Sequence, residues 1–192
     1  MKRIVIVLLM FIKYGYAQEV NSLYLSSALE LGNYIGMDGN ITFISKNKLS
    51  VSVGAGWMLH EAENYPDDID DSDDIGFSGI DGSAYTYLTA GKIVQFKKSN
   101  RIRLNLSGGL VMMWSDIEEN YVRGQQTDHG YYYDYDTNSY QTIGLILNPR
   151  LEISVFSMVG LHISPKVILN QKKSFYGIGF GFMLGKLRKR LY

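Results

Sequence analysis

Cysteine is absent from this 192-residue chain, and proline occurs three times. Without cysteine there is no disulfide staple, no lipid anchor on an N-terminal thiol, no CxxC redox pair and no thiolate zinc site. The fold must rest on its sheet and its surroundings. No segment offers the ~20 continuous apolar residues that a membrane-crossing helix needs. Acidic and basic residues balance at 19 each, which gives no sign of a nucleic-acid partner. The three histidines are far apart, and G-x-G-x-x-G, Walker and HExxH patterns are missing, so no cofactor and no metal centre is implied.

What is present begins at the N-terminus. Lys2 and Arg3 precede an unbroken apolar run from Ile4 to Ile12, and Gly15-Tyr16-Ala17 places small residues before Gln18. Residues 1–17 therefore read as a signal peptide and residues 18–192 as one exported domain. An exported chain that enters a membrane without apolar helices must close its sheet into a barrel, because lipid cannot satisfy an open strand edge.

The remainder alternates with period two, the signature of a strand with two unlike faces. Over 143–155, Ile143, Leu145, Leu147, Pro149, Leu151, Ile153 and Val155 share one face; Gly144, Ile146, Asn148, Arg150, Glu152 and Ser154 share the other. Residues 102–114 set Ile102, Leu104, Leu106, Leu110, Met112 and Trp114 against Arg103, Asn105, Ser107 and Gly109. Residues 23–31, 49–60 and 175–185 repeat the theme, and 34–45 and 159–170 follow it more loosely. Residues 84–96 are ambiguous and suggest a bulge. These segments predict eight strands, each near the ~9–11 residues of a tilted membrane strand rather than the ~5–6 of a soluble one. The polar, glycine-rich face suits a narrow lumen, and the apolar face suits lipid.

The connections alternate in length. Those at 46–48, 97–100 and 157–158 are tight, whereas 61–83 and 116–138 are long and polar. Aromatic residues sort to the two strand ends: Trp57, Trp114, Tyr85, Tyr140 and Tyr176 next to the outer connections, Phe43, Phe96, Phe156 and Phe182 toward the opposite ends. Two aromatic girdles, short periplasmic turns and long outer loops are features of transmembrane barrels.

On these residues the chain resembles the small OmpA/OmpX-like eight-stranded outer-membrane barrels of Gram-negative bacteria. The resemblance implies an all-β, eight-stranded antiparallel up-and-down barrel in the outer membrane, with membrane lipid and the barrel-assembly machinery as partners. Such barrels often end on an aromatic residue that the machinery reads. Tyr192 fits that pattern; the basic stretch from Lys186 to Leu191 departs from it.

Three constellations carry candidate chemistry. Asp67, Asp68, Asp70, Asp71, Asp73 and Asp74 crowd one loop. They read first as a solvated, self-repelling surface segment, and second as an oxygen-ligand site for a hard cation such as Ca²⁺, although the glycine turn and distal glutamate of an EF-hand loop are missing. Tyr131, Tyr132, Tyr133 and Tyr135, interleaved with Asp134 and Asp136, read as a hairpin above the membrane that offers aromatic contact area to an extracellular protein or glycan. His162-x-Ser164 resembles the pair of the outer-membrane lipid A deacylases, which are also eight-stranded barrels, and Glu152 would complete an acyl-transfer set. Pro165 stands where that family has asparagine, and the alternation turns His162 and Ser164 toward the lumen rather than toward lipid.

The inward faces of strands five to seven also carry Arg103, Arg150 and Lys166. A narrow lumen forces such charges to pair. The expected arrangement is a network centred on Glu152, with Arg103 as its nearest partner and His162 or Lys166 approaching from the other side. Function is then read first as a structural or surface-interaction barrel with a plugged polar lumen. The alternatives are a narrow transporter or binder of a small apolar molecule, a lipid-modifying enzyme, and, in a different fold, a soluble periplasmic lipocalin-like barrel.

Overall fold

The computed structural model describes residues 20–62, 79–96, 101–126 and 131–187. They form β1 (Val20–Gly32), β2 (Ile35–Ser45), β3 (Leu49–Glu61), β4 (Ile80–Gln95), β5 (Ile102–Gln126), β6 (Tyr131–Leu147), β7 (Arg150–Ser154), β8 (Val159–Leu169) and β9 (Phe175–Lys186). Every pairing is antiparallel. β1 pairs with β2 and β9, and β4 pairs with β3 and β5, so the sheet closes on itself. β6 and β7 occupy one position in the wall, since both pair with β5 and both pair with β8. The fold is therefore an eight-stranded up-and-down barrel. Followed partner to partner around the wall, a row that leaves β9 at Gly185 returns to it at Phe175, a stagger of ten residues. Strand number and stagger together set the width, and eight strands leave an interior that side chains can fill.

The alternation maps onto the wall. β2 and β8 read outward and inward residue by residue along most of their length. Val53, Leu88, Leu110, Leu145 and Leu169 form one continuous outward row across five strands, each about half exposed. Such a belt of large apolar side chains is what lipid covers and water does not.

Four sequence expectations are corrected. First, residues 143–155 are not one strand. β6 stops at Leu147 and β7 starts at Arg150, because Pro149 has no N–H to give the ladder. Asn148 N still donates to Ser107 O at 2.9 Å, and the apolar face keeps its direction across the break. Second, β4 carries no bulge; its register runs unbroken against both neighbours. The ambiguity arises because its large residues, Tyr85 and Tyr87, point inward over Gly56 and Gly54 of β3. Third, Tyr85 is thus buried and belongs to the lumen, not to the girdle, which keeps Trp57 and Trp114 on either side of Ala84.

Fourth, 116–138 is not a long loop. β5 and β6 continue past the barrel as a two-stranded ribbon, paired from Asp116↔Ser139 to Gln126↔Tyr131. Its register shifts between Glu119 and Val122, where Asn120 takes φ 60°, a left-handed conformation that asparagine tolerates. Among the described residues, β5 beyond Asp116 pairs with β6 alone. The barrel thus has a ribbon end and a turn end. The turn end holds the tight connections at Lys46–Lys48 and 155–158. The aspartate run at 67–74 and the leader at 1–17 lie outside the described residues.

Candidate functional site

The lumen is the site that the fold builds, and it is layered. At the turn end, Tyr24, Ile44, Ile93, Met183 and Leu187 form an apolar cluster. At the ribbon end, a second cluster gathers Tyr34, Met58, Tyr85, Tyr87, Val111, Met113, Ile146, Ile168 and Phe175. Between them lie buried charges from several strands.

The first group centres on Glu152, on the inward face of β7. Arg103 is its direct register partner on β5, and Arg103 Nε lies 2.6 Å from Glu152 Oε2. Tyr24 donates its hydroxyl to Glu152 Oε1 at 2.5 Å, and Asn105 Nδ2 approaches the same oxygen at 3.4 Å. Arg103 also donates to Leu187 O at 3.0 Å and to Ser22 Oγ at 3.3 Å, and its guanidinium stacks over the Tyr24 ring. It thereby ties β5 to the strand ends that close the barrel.

The second group is Arg150. Its side chain leaves β7, crosses the lumen and divides four hydrogen bonds among three strands on the far wall. One nitrogen donates to Ser26 Oγ (3.1 Å) and Asn40 Oδ1 (2.9 Å); the other donates to Thr42 Oγ1 (2.9 Å) and Ser52 Oγ (3.0 Å). Arg150 is 1% exposed, and its Nε stands 3.9 Å from Glu152 Oε1. The planar, multi-donor guanidinium can satisfy so many oxygens at once, which an ammonium cannot.

The third group is Lys166, and here the structure departs from the expected network. Lys166 does not reach Glu152. It pairs with Glu30 of β1 and with Asp38 of β2, at 3.0 Å to Asp38 Oδ2. Tyr34 donates to Glu30, Tyr87 donates to Asp38 at 3.0 Å, and the Tyr85 hydroxyl lies within 3.3 Å of both carboxylates. The reason is position along the wall. Lys166 sits beside Gly177 on β9, four residues toward the ribbon end from the His162↔Gly181 level that faces Glu152, and there its amine meets Glu30, Asp38 and the Tyr85 hydroxyl.

His162 does not join the network either. It is buried against Gly181, where a Cβ would lie 2.6 Å from its Nε2, and none of the charged side chains of the network bonds its ring. Ser164 Oγ is directed at Gly179 O, at 3.5 Å. His162, Ser164 and Glu152 therefore lie in the lumen without the serine–histidine contact that acyl transfer requires.

The sequence reading missed Glu30, Asp38, Tyr24, Tyr34, Tyr85 and Tyr87. A signal existed: Arg103, Arg150 and Lys166 face Glu152 alone on strands five to seven, so two inward carboxylates were owed by other strands. Glu30 and Asp38 supply them, on the polar faces of β1 and β2, while a further inward carboxylate, Asp81 of β4, pairs with His60 at the ribbon end.

Above the barrel, the ribbon carries its own polar contacts. Tyr140 donates to Glu119 at 2.8 Å, Ser139 to Asp116 at 2.6 Å, and Tyr121 packs on Tyr135 with ring centroids 5.7 Å apart. An open cleft of about 530 Å³ separates the ribbon from the β8–β9 turn, lined by Asp81, Glu118, Glu119, Tyr121, Lys172 and Lys173 among others. The backbones of Tyr131, Tyr132, Tyr133 and Tyr135 all fall in the ribbon strand β6.

No family model and no curated protein matches the sequence. Solved structures do match in fold. The N-terminal β-barrel domain of Pseudomonas aeruginosa OprF aligns with a TM-score of 0.55 at 13% identity, over 86% of this chain and 97% of that one. A major outer membrane protein of Thermus thermophilus aligns with a TM-score of 0.56 at 12% identity, over 86% and 99%. The Yersinia pestis outer membrane protein Ail, in a phospholipid bilayer nanodisc, aligns with a TM-score of 0.51 at 13% identity, over 86% and 99%. The chain has the fold of the outer-membrane barrels.

Proposed function

We propose that this chain is an integral outer-membrane protein whose barrel is a closed anchor and whose ribbon end acts at the cell surface on a protein or glycan partner. Export by a leader at residues 1–17, with cleavage before Gln18, belongs to the same reading, as does insertion by the barrel-assembly machinery. The observation that carries the closed barrel is Arg150, which spans the lumen between two apolar clusters with its guanidinium bonded to three strands of the far wall. Transport would require breaking these bonds and moving a buried charge.

The surface role is supported by the ribbon. It lifts Tyr121, Tyr133 and Tyr135 beyond the barrel on a paired scaffold, and tyrosine offers large contact area at low entropic cost. Its acids, Asp116, Glu118, Glu119, Asp134 and Asp136, against Arg123 favour a partner with basic or hydroxyl-rich chemistry. Liposome swelling tests the closed barrel: vesicles holding the protein should swell in arabinose no faster than empty ones. Swelling at a porin-like rate would sink the anchor reading and favour transport.

A further inference from the structure

Net charge differs between the two ends of the barrel, although Lys172 and Lys173, which also follow Glu152, lie among the acids of the ribbon end. The sequence has no Asp or Glu between Asp38 and Glu61, between Asp81 and Asp116, or after Glu152. Each interval contains one connection at the turn end. Bases occupy those intervals: Lys46, Lys48, Lys92, Arg101 and Lys186 are all exposed. Two of them point away from the lumen. Lys92 is the register partner of Leu49 and Leu106, and Lys186 of Leu23; all three leucines face outward and are about half exposed. At the opposite end the outward rows carry acids instead: Asp116 follows Trp114 along its row, and Glu61 lies beyond Trp57.

A lysine on an apolar belt lays its methylene stem along the belt and sends its ammonium to the polar boundary. In a bilayer that boundary is the phosphate layer, and anionic headgroups there attract clustered bases. The acids of the other end repel the same headgroups, so the preference acts in one leaflet.

We propose that the basic rim at the turn end is a binding surface for anionic phospholipid headgroups, with Lys92 and Lys186 as its contacts to the phosphates. This inference rests on the membrane reading above and adds which lipid, in which leaflet, the barrel selects.

The protein, purified in detergent, is reconstituted into nanodiscs of equal phosphatidylcholine and phosphatidylglycerol, and the lipid retained after partial delipidation is quantified. Phosphatidylglycerol should be enriched over the bulk at low salt and should lose that enrichment as salt rises. Lys92→Gln and Lys186→Gln should each lower it by about fivefold, while Glu61→Gln should not lower it. Both lysines point outward, and heat-dependent gel migration checks that the variants stay folded. A folded, inserted parent protein with no enrichment, or with enrichment indifferent to salt, overturns the rim and leaves the membrane reading standing. Failure to enter the bilayer in either lipid overturns both.

Discussion

Arg103 and Glu152 are direct partners across β5 and β7, and their side chains meet at 2.6 Å, while Lys166, on the next strand of the wall, turns away from Glu152 to bridge Glu30 and Asp38. Among the described residues, and apart from the buried His60–Asp81 pair at the ribbon end, these charges form two ion centres, joined through Arg150 and Asn40. Asn40 accepts from Arg150 and donates to Asp38 at 3.0 Å. Three carboxylates face three cations, and the balance holds only if all six are kept.

Removing one member of such a buried set leaves its partner unpaired, at a cost of about 3–5 kcal/mol. Glu152→Ala strands Arg103 and Arg150; Lys166→Ala strands Glu30 and Asp38. Both should lower the urea midpoint of the barrel in vesicles more than Arg103→Ala does, because Arg103 is the most exposed of the three lumen cations and water can reach what it leaves. Equal unfolding midpoints for the parent and Lys166→Ala would show that the second centre contributes nothing.

Arg150→Ala removes the crossing side chain and leaves Ser26, Asn40, Thr42 and Ser52 facing a polar void that water will enter. In planar bilayers the parent should pass no resolvable current, and the variant should leak. A variant as tight as the parent would move the plug to the two apolar clusters.

Glycine content is not uniform in meaning. A Cβ at Gly56 would meet the Met37 carbonyl oxygen and the Tyr85 ring at 2.5 Å, whereas one at Gly39 would find its nearest neighbours at 4.0 Å and one at Gly82 would meet nothing within 4 Å. Gly56→Ala should destabilise the barrel by about 1–3 kcal/mol. Gly39→Ala and Gly82→Ala should fold like the parent. Unfolding curves of the three would show whether the glycines of β3 exist to admit the tyrosines of β4.

Because the chain has no cysteine, single introduced thiols report orientation directly. On intact cells a membrane-impermeant maleimide should label Asn120→Cys on the ribbon and should spare Asn47→Cys at the turn end until the outer membrane is opened. Leu110→Cys should react only with lipid-soluble reagents, and Leu110→Arg should cost ~2–4 kcal/mol at mid-membrane depth. Labelling of Asn47→Cys alone would invert the topology.

The local half of this architecture was legible in the sequence, because strand faces follow from backbone geometry. A period of two determines which residues look outward, and so Leu104, Leu106, Leu147, Leu151, Ile153, Ile178 and Phe180 could be assigned to the lipid side residue by residue. The same period turned Arg103, Arg150, Glu152, His162, Ser164 and Lys166 inward. Which inward group meets which is a different question. It depends on the stagger of the closed sheet, which brings β1, β2 and β3 within reach of Arg150 across the lumen and sets Lys166 at the height of Asp38 rather than of Glu152. No local pattern encodes that stagger. The ribbon was hidden for a related reason: polar residues on both faces carry no alternation once neither face is buried, so a strand beyond the barrel reads as a loop. Side-chain direction was set by the chain itself, while the partners, the plug and the ribbon were decided by closure of the wall.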